Sequence, residues 1–188
     1  RRVGRAGVVD PNDPRLAAAL GERSRSGRFE GEISLRRGDG TTFPAEVPIP
    51  QRVLWPASPS ESNGMEDARF VRFIDDDGES TYRATYTAYD GRDIGARMLS
   101  TRDLLHFEVA ALRGPATRSK GMALFPRPID GRYVMLSRRD RENIHLATSD
   151  DVHFWTDAVE LHRPSKPWEL LQIGNCGSPL ETEAGWLV

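Results

Sequence analysis

A single cysteine, Cys176, occurs in 188 residues, which excludes an intrachain disulfide framework and is compatible with a reducing cytoplasm. Within GNCGSPL it reads as a small buried thiol rather than a nucleophile, because no histidine takes a comparable place to activate it. No apolar run approaches the ~20 residues that a bilayer crossing needs, so no membrane-spanning helix is encoded. An excess of one charge sign is also missing. Twenty-six basic residues against 28 acidic ones give a net charge of −2, and no global field draws the chain to nucleic acid or acidic membranes. The four histidines form no metal motif, since His145 and His162 have no Cys, Asp or Glu at ligand spacing. A phosphate-cradling glycine loop, a dinucleotide fingerprint and a GxSxG elbow are all absent. Carboxylate and guanidinium chemistry remains.

Internal repetition organises what is present. TRDLLHFE from Thr101 matches TSDDVHFW from Thr148, 47 residues later, with Thr101/Thr148, Asp103/Asp150, His106/His153 and Phe107/Phe154 in register. A period near ~45 residues fits a four-stranded propeller blade. Thr81 to Tyr89 (TYRATYTAY) and Gly131 to Arg138 (GRYVMLSR) read as strands after the turn signals DDDG and DG. The paired histidines then have a structural role in the blades. EAGWLV starts the pattern again, with Trp186 opening a strand that stops at Val188. That mid-strand ending, and a first residue that is not Met, predict a fragment, and a fragment of a propeller leaves apolar blade surface exposed.

Residues 1–62 read as N-terminal elements packing on the propeller, and 63–188 as blades truncated at the C-terminus. The first segment holds the one good helical stretch, Leu16 to Arg23. A hairpin with a Gly38/Asp39/Gly40 turn follows, then a Pro/Ser loop, VLWPASPSESNG. The expected class is all-β, a partial propeller of about three blades with little helix elsewhere.

Three polar junctions open three similar strands: NGMEDAR, an acidic pair on a turn before the run Phe70 to Ile74, then SKGMALFP and IGNCGSPL. In a propeller the first strand of each blade lines the central channel. Glu66, Asp67 and Arg69 therefore face Lys120 from the next blade and Gln172 and Asn175 from a third. An acid beside fixed cations suits a sugar-and-phosphate site. A buried Asp67–Arg69 pair that merely holds the blade start fits the same spacing. Arg127, Arg132, Arg139 and Arg141 read as solvated strand ends and loops.

GMEDARF, TYTAYDG, KGMALFPR with GRYVMLSR, and WELLQIGNCGSPLETEAGWLV resemble, in that order, the successive blade motifs of glycoside hydrolase family 130, the β-mannoside phosphorylases and related mannosidases. The likeness runs from about Asn63 to Val188. It implies a five-bladed β-propeller as the parent fold. The family's EDPR motif is similar to EDAR here, which puts Asp67 in the place of the general acid and Ala68 in that of the proline. Lys120 stands where members carry a basic phosphate ligand, and Arg138, in LSR, where the family's HRP arginine binds phosphate. WELLQIG departs from the pattern, with Gln172 where many phosphorylases have lysine. Family hydrolases put acidic residues at the phosphate ligands, and Lys120 and Arg138 are retained.

The resemblance implies inverting phosphorolysis of a β-mannoside to mannose 1-phosphate, with inorganic phosphate as co-substrate and no cofactor. Its proton relay runs from the acid through a hydroxyl of the bound mannosyl unit. Glu66, Arg69, Gln172 and Asn175 are candidate substrate contacts, as are Tyr86, Tyr89 and Asp90 in TYTAYDG, where strand packing is the other reading of the tyrosines. An inverting hydrolase of the same fold and a non-catalytic propeller binding glycan or protein remain open alternatives. The expected partners are a small oligosaccharide and phosphate, without nucleic acid or membrane, and a homo-oligomer is left open.

Overall fold

The computed structural model describes residues 40–188. The helix expected at Leu16 to Arg23 and the first strand of the Gly38/Asp39/Gly40 hairpin lie outside the described residues. Its second strand is β1 (Gly40–Thr42), which pairs antiparallel with the end of the first blade. A side chain at Gly40 would put its Cβ 2.7 Å from the Phe107 carbonyl oxygen, so the edge accepts only glycine there. Beyond it, 53–58 is irregular, as the proline and serine content predicts.

The first blade consists of β2 (Gly64–Ile74), β3 (Ser80–Tyr89), β4 (Ile94–Thr101) and β5 (His106–Ala111), each antiparallel to the next, with β1 outside β5. The second repeats the plan with β6 (Ala123–Leu124), β7 (Tyr133–Ser137), β8 (Ile144–Ser149) and β9 (Asp157–His162). A hairpin of β10 (Leu180–Thr182) and β11 (Gly185–Leu187) opens a third sheet. The described residues are therefore all-β, with two whole blades and the opening of another.

Alternation along each strand builds the layers. On β3, Ala84, Tyr86 and Ala88 join Phe43, Leu99, Phe107 and Val109 on one side of the blade. The opposite side turns to the second blade, where Phe73, Met98, Met122, Leu124, Met135 and a fully buried Trp155 form the core between the blades. The outer side of the second blade carries Phe125, Val134 and Leu136, and Trp186 packs on Phe125 with ring centroids 4.9 Å apart. Apolar surface is exposed as expected at Val159, Leu161, Leu180 and Leu187, each at least 49% exposed.

The 47-residue repeat falls on the turn between the third and fourth strands of each blade, but its polar roles shift by one residue. In the first, Asp103 Oδ1 accepts from the amides of Leu105 and His106. In the second the equivalent task falls to Asp151, which accepts from the His153 amide, while Asp150 pairs with Arg132.

Candidate active site

The acidic pair does not sit on a turn before a strand, as the sequence led us to expect. It lies inside one continuous strand, β2, at a bulge where Glu66 pairs with Thr87 and Arg69 pairs with Thr85. Asp67 and Ala68 thus face a single residue, Tyr86. Asp67 has φ 57°, the left-handed region that aspartate tolerates better than most side chains. The bulge changes the parity of the strand. Glu66 and Arg69, three positions apart, would occupy opposite faces of a regular strand. Here both share a face with their partners Thr87 and Thr85 and turn toward the second blade.

The second blade meets them with its own junction. Lys120 Nζ lies 3.2 Å from Glu66 Oε1, and an Arg69 Nη donates to the Met122 carbonyl at 3.4 Å. The Thr85 hydroxyl donates to that same carbonyl at 2.6 Å. Gly121, between them at φ 85°, is a residue the spacing argument passed over. A Cβ there would meet Arg138 Cδ at 3.1 Å and Arg69 Nη1 at 3.2 Å, so a bare backbone lets both guanidiniums approach. A glycine in each of the three junctions was the available signal.

Arg138 immediately follows β7. Antiparallel pairing of β6 with β7 brings it to the same end as Lys120. Its Nη2 donates to Gln172 Oε1 at 3.1 Å and to the Arg141 carbonyl at 3.2 Å. Gly174 lies against it too, a Cβ there falling 3.2 Å from Nη1. The third junction therefore reaches the rim through Gln172 and Gly174. Burial pushes the Arg69 guanidinium down from its usual value, Asp67 opposes this, Arg138 adds to it, and the Cys176 thiol opposes it. Arg69 is thus within electrostatic reach of all three. Cys176 is exposed, contrary to the buried thiol expected, because it lies in the loop that precedes β10 and not in a strand.

Two of the proposed sugar contacts close a turn, and a third is buried. Tyr86 is 4% exposed on the face turned away from the second blade, and its hydroxyl donates to Glu61 Oε1 at 2.5 Å. Period-two alternation puts it there with Ala84 and Ala88, as the packing reading of the tyrosine expects. The Tyr89 hydroxyl donates to the Gly91 carbonyl, and the Asp90 carboxylate accepts from the amides of Arg92 and Asp93. Glu61, fully buried, escaped the sequence reading. It accepts from Tyr86 and from the amides of Ala57 and Ser58, with Arg97 at 3.5 Å.

One rim thus carries an acid, two cations from a second blade and a half-buried arginine beside them. Such a set can protonate a leaving oxygen while binding an anion. The model of a protein family described as β-1,4-mannooligosaccharide phosphorylase matches residues 29–188. A 1,2-β-oligomannan phosphorylase of Thermoanaerobacter sp. strain X514 is 28% identical over 179 residues, covering 92% of this chain and 56% of that protein. A β-1,2-mannobiose phosphorylase of Listeria innocua is 28% identical over 144 residues, covering 72% of this chain and 38% of its own. The solved structure of the Listeria innocua β-1,2-mannobiose phosphorylase in complex with β-1,2-mannobiose superposes with a TM-score of 0.61 at 24% identity, over 78% of this chain and 40% of that one. The chain spans about half the length, or less, of these relatives. With blade motifs, fold and family model in agreement, the chain belongs to glycoside hydrolase family 130, whose fold is a five-bladed β-propeller.

Proposed function

We propose that the full polypeptide carrying this chain cleaves a β-mannoside with inorganic phosphate and releases mannose 1-phosphate with inversion. The observation that carries this reading is the convergence of Asp67 with Arg69, Lys120 and Arg138 on one rim. Lys120, a compact charge, and Arg138, a planar fork, bind the phosphate. A phosphate oxygen attacks the anomeric carbon as the bond to the glycosidic oxygen breaks. Asp67 supplies the proton that the departing oxygen takes up, relayed through a hydroxyl of the mannosyl unit. Phosphate makes the only new bond to that carbon, so no covalent enzyme intermediate forms. Glu66, Arg69, Gln172 and Asn175 orient the sugar, and no cofactor takes part. The retained cations argue against the hydrolase reading, in which phosphate is not needed.

One observation favours hydrolysis, namely Gln172, which holds Arg138 through a neutral amide where a further cation would strengthen anion binding. The relatives' names divide between 1,2 and 1,4 linkages. The test incubates the full polypeptide with β-1,2- and β-1,4-mannobiose, with and without phosphate. Mannose 1-phosphate formed only when phosphate is present supports the proposal, and free mannose formed equally without phosphate replaces it with hydrolysis.

A further inference from the structure

A buried polar atom without a partner forfeits the hydrogen bonds that water gave it, and native structures hold few of them. Among the described residues, eight buried side-chain nitrogen or oxygen atoms have no partner, and five of them lie in the two segments that meet beside Arg138. They are Ser137 Oγ and Arg138 Nε at the end of β7, and Asn175 Oδ1, Asn175 Nδ2 and Ser178 Oγ in the third junction. Asn175 is 8% exposed, and both ends of its amide are unpaired. Its chain neighbour Gly174 lies against Arg138, where a Cβ would fall 3.2 Å from Nη1.

The chemistry of an amide narrows the ligand. Phosphate presents mainly acceptor oxygens, which would satisfy Nδ2 and leave Oδ1 bare. A pair of adjacent sugar hydroxyls satisfies both, one donating to Oδ1 while the oxygen of the other accepts from Nδ2. Resting on the reading of this rim as a mannoside phosphorylase site, we propose that Asn175 is a specificity-determining residue that reads a vicinal diol of the sugar. Ser178 contributes a further hydroxyl, and the anion is left to Lys120 and Arg138.

A ligand-directed amide and a structural one differ in what their removal does to the unliganded protein. In the full polypeptide, Asn175→Ala should weaken calorimetric binding of β-1,2-mannobiose, measured without phosphate, by about tenfold or more, since one lost hydrogen bond is worth about that factor. The Michaelis constant for the mannoside should rise in parallel, while that for phosphate stays within about twofold and the thermal midpoint stays level or rises. Asn175→Ser, which keeps one hydroxyl, should fall between. A lower midpoint with unchanged mannobiose binding, or an Ala variant that does not fold, would show the amide to be structural. An equal rise in the phosphate constant would make it an anion contact. If the parent protein binds mannobiose without phosphorolysing it, the proposed function fails and the Asn175 assignment is still decided by the binding isotherms. No mannobiose binding by the parent protein would overturn both.

Discussion

Two aspartates on the first blade each stand beside a basic side chain, and their hydrogen bonds separate them. Asp103 uses its carboxylate on the local chain, accepting from the Leu105 and His106 amides and lying 2.6 Å from His106 Nδ1. Those bonds, the His106 amide first, hold its carboxyl well below the usual carboxylate range. Asp67 accepts no hydrogen bond among the described residues, although it lies at a left-handed bulge beside a half-buried arginine. The first arrangement satisfies its groups and closes a turn. The second leaves the Asp67 carboxylate without a hydrogen-bond donor among the described residues, which is how a site acid differs from one that closes a turn.

Asp67→Asn in the full polypeptide breaks the comparison most sharply. It keeps the shape and removes the proton, so turnover should fall by ~10² to 10⁴ while the melting curve hardly moves. Near-normal turnover would show that Asp67 is as structural as Asp103. Glu61→Ala should do the reverse. It takes away a fully buried carboxylate from Tyr86, Arg97 and two amides, so a loss of about 3–5 kcal/mol of stability is expected by chemical denaturation.

Arg138→Ala tests the cation side. The Michaelis constant for phosphate should rise far more than that for the mannoside, by an amount equivalent to about 2–4 kcal/mol. Equal rises would class Arg138 with the structural arginines such as Arg83, which stacks on Phe73.

The smallest effect belongs to Asp103→Asn. Because the folded state holds this carboxyl below its unfolded value of about 3.9, its stabilisation is present above that pH and fades as pH falls below it. The difference in thermal midpoint between parent and variant should therefore be visible near pH 6 and shrink in acid. A difference that grew on acidification would reverse the sign and contradict the hydrogen-bonding account.

The blades were legible because their signals are local. Turn residues such as DDDG and the TRDLLHFE/TSDDVHFW match lie within a few residues of what they specify, and the structure puts that match on corresponding hairpins. The rim was legible in its members and not in its geometry. Glu66, Arg69, Lys120 and Gln172 do converge, but the parity change at Asp67 and Ala68 depends on which β3 residue each one faces. Tyr86 carried two readings in the sequence, and its burial in a period-two set with Ala84 and Ala88 follows the packing one. Glu61 was invisible because its partners Tyr86 and Arg97 are far along the chain and its own neighbourhood reads as a polar loop.

The central claim is that the full polypeptide uses this rim for inverting phosphorolysis, and the configuration of the first-formed product tests it most directly. Time-resolved NMR of the full polypeptide acting on a β-mannobiose in phosphate buffer should show α-mannose 1-phosphate from the earliest spectra. A β-configured phosphate, or free mannose accumulating at a rate indifferent to phosphate, would contradict it.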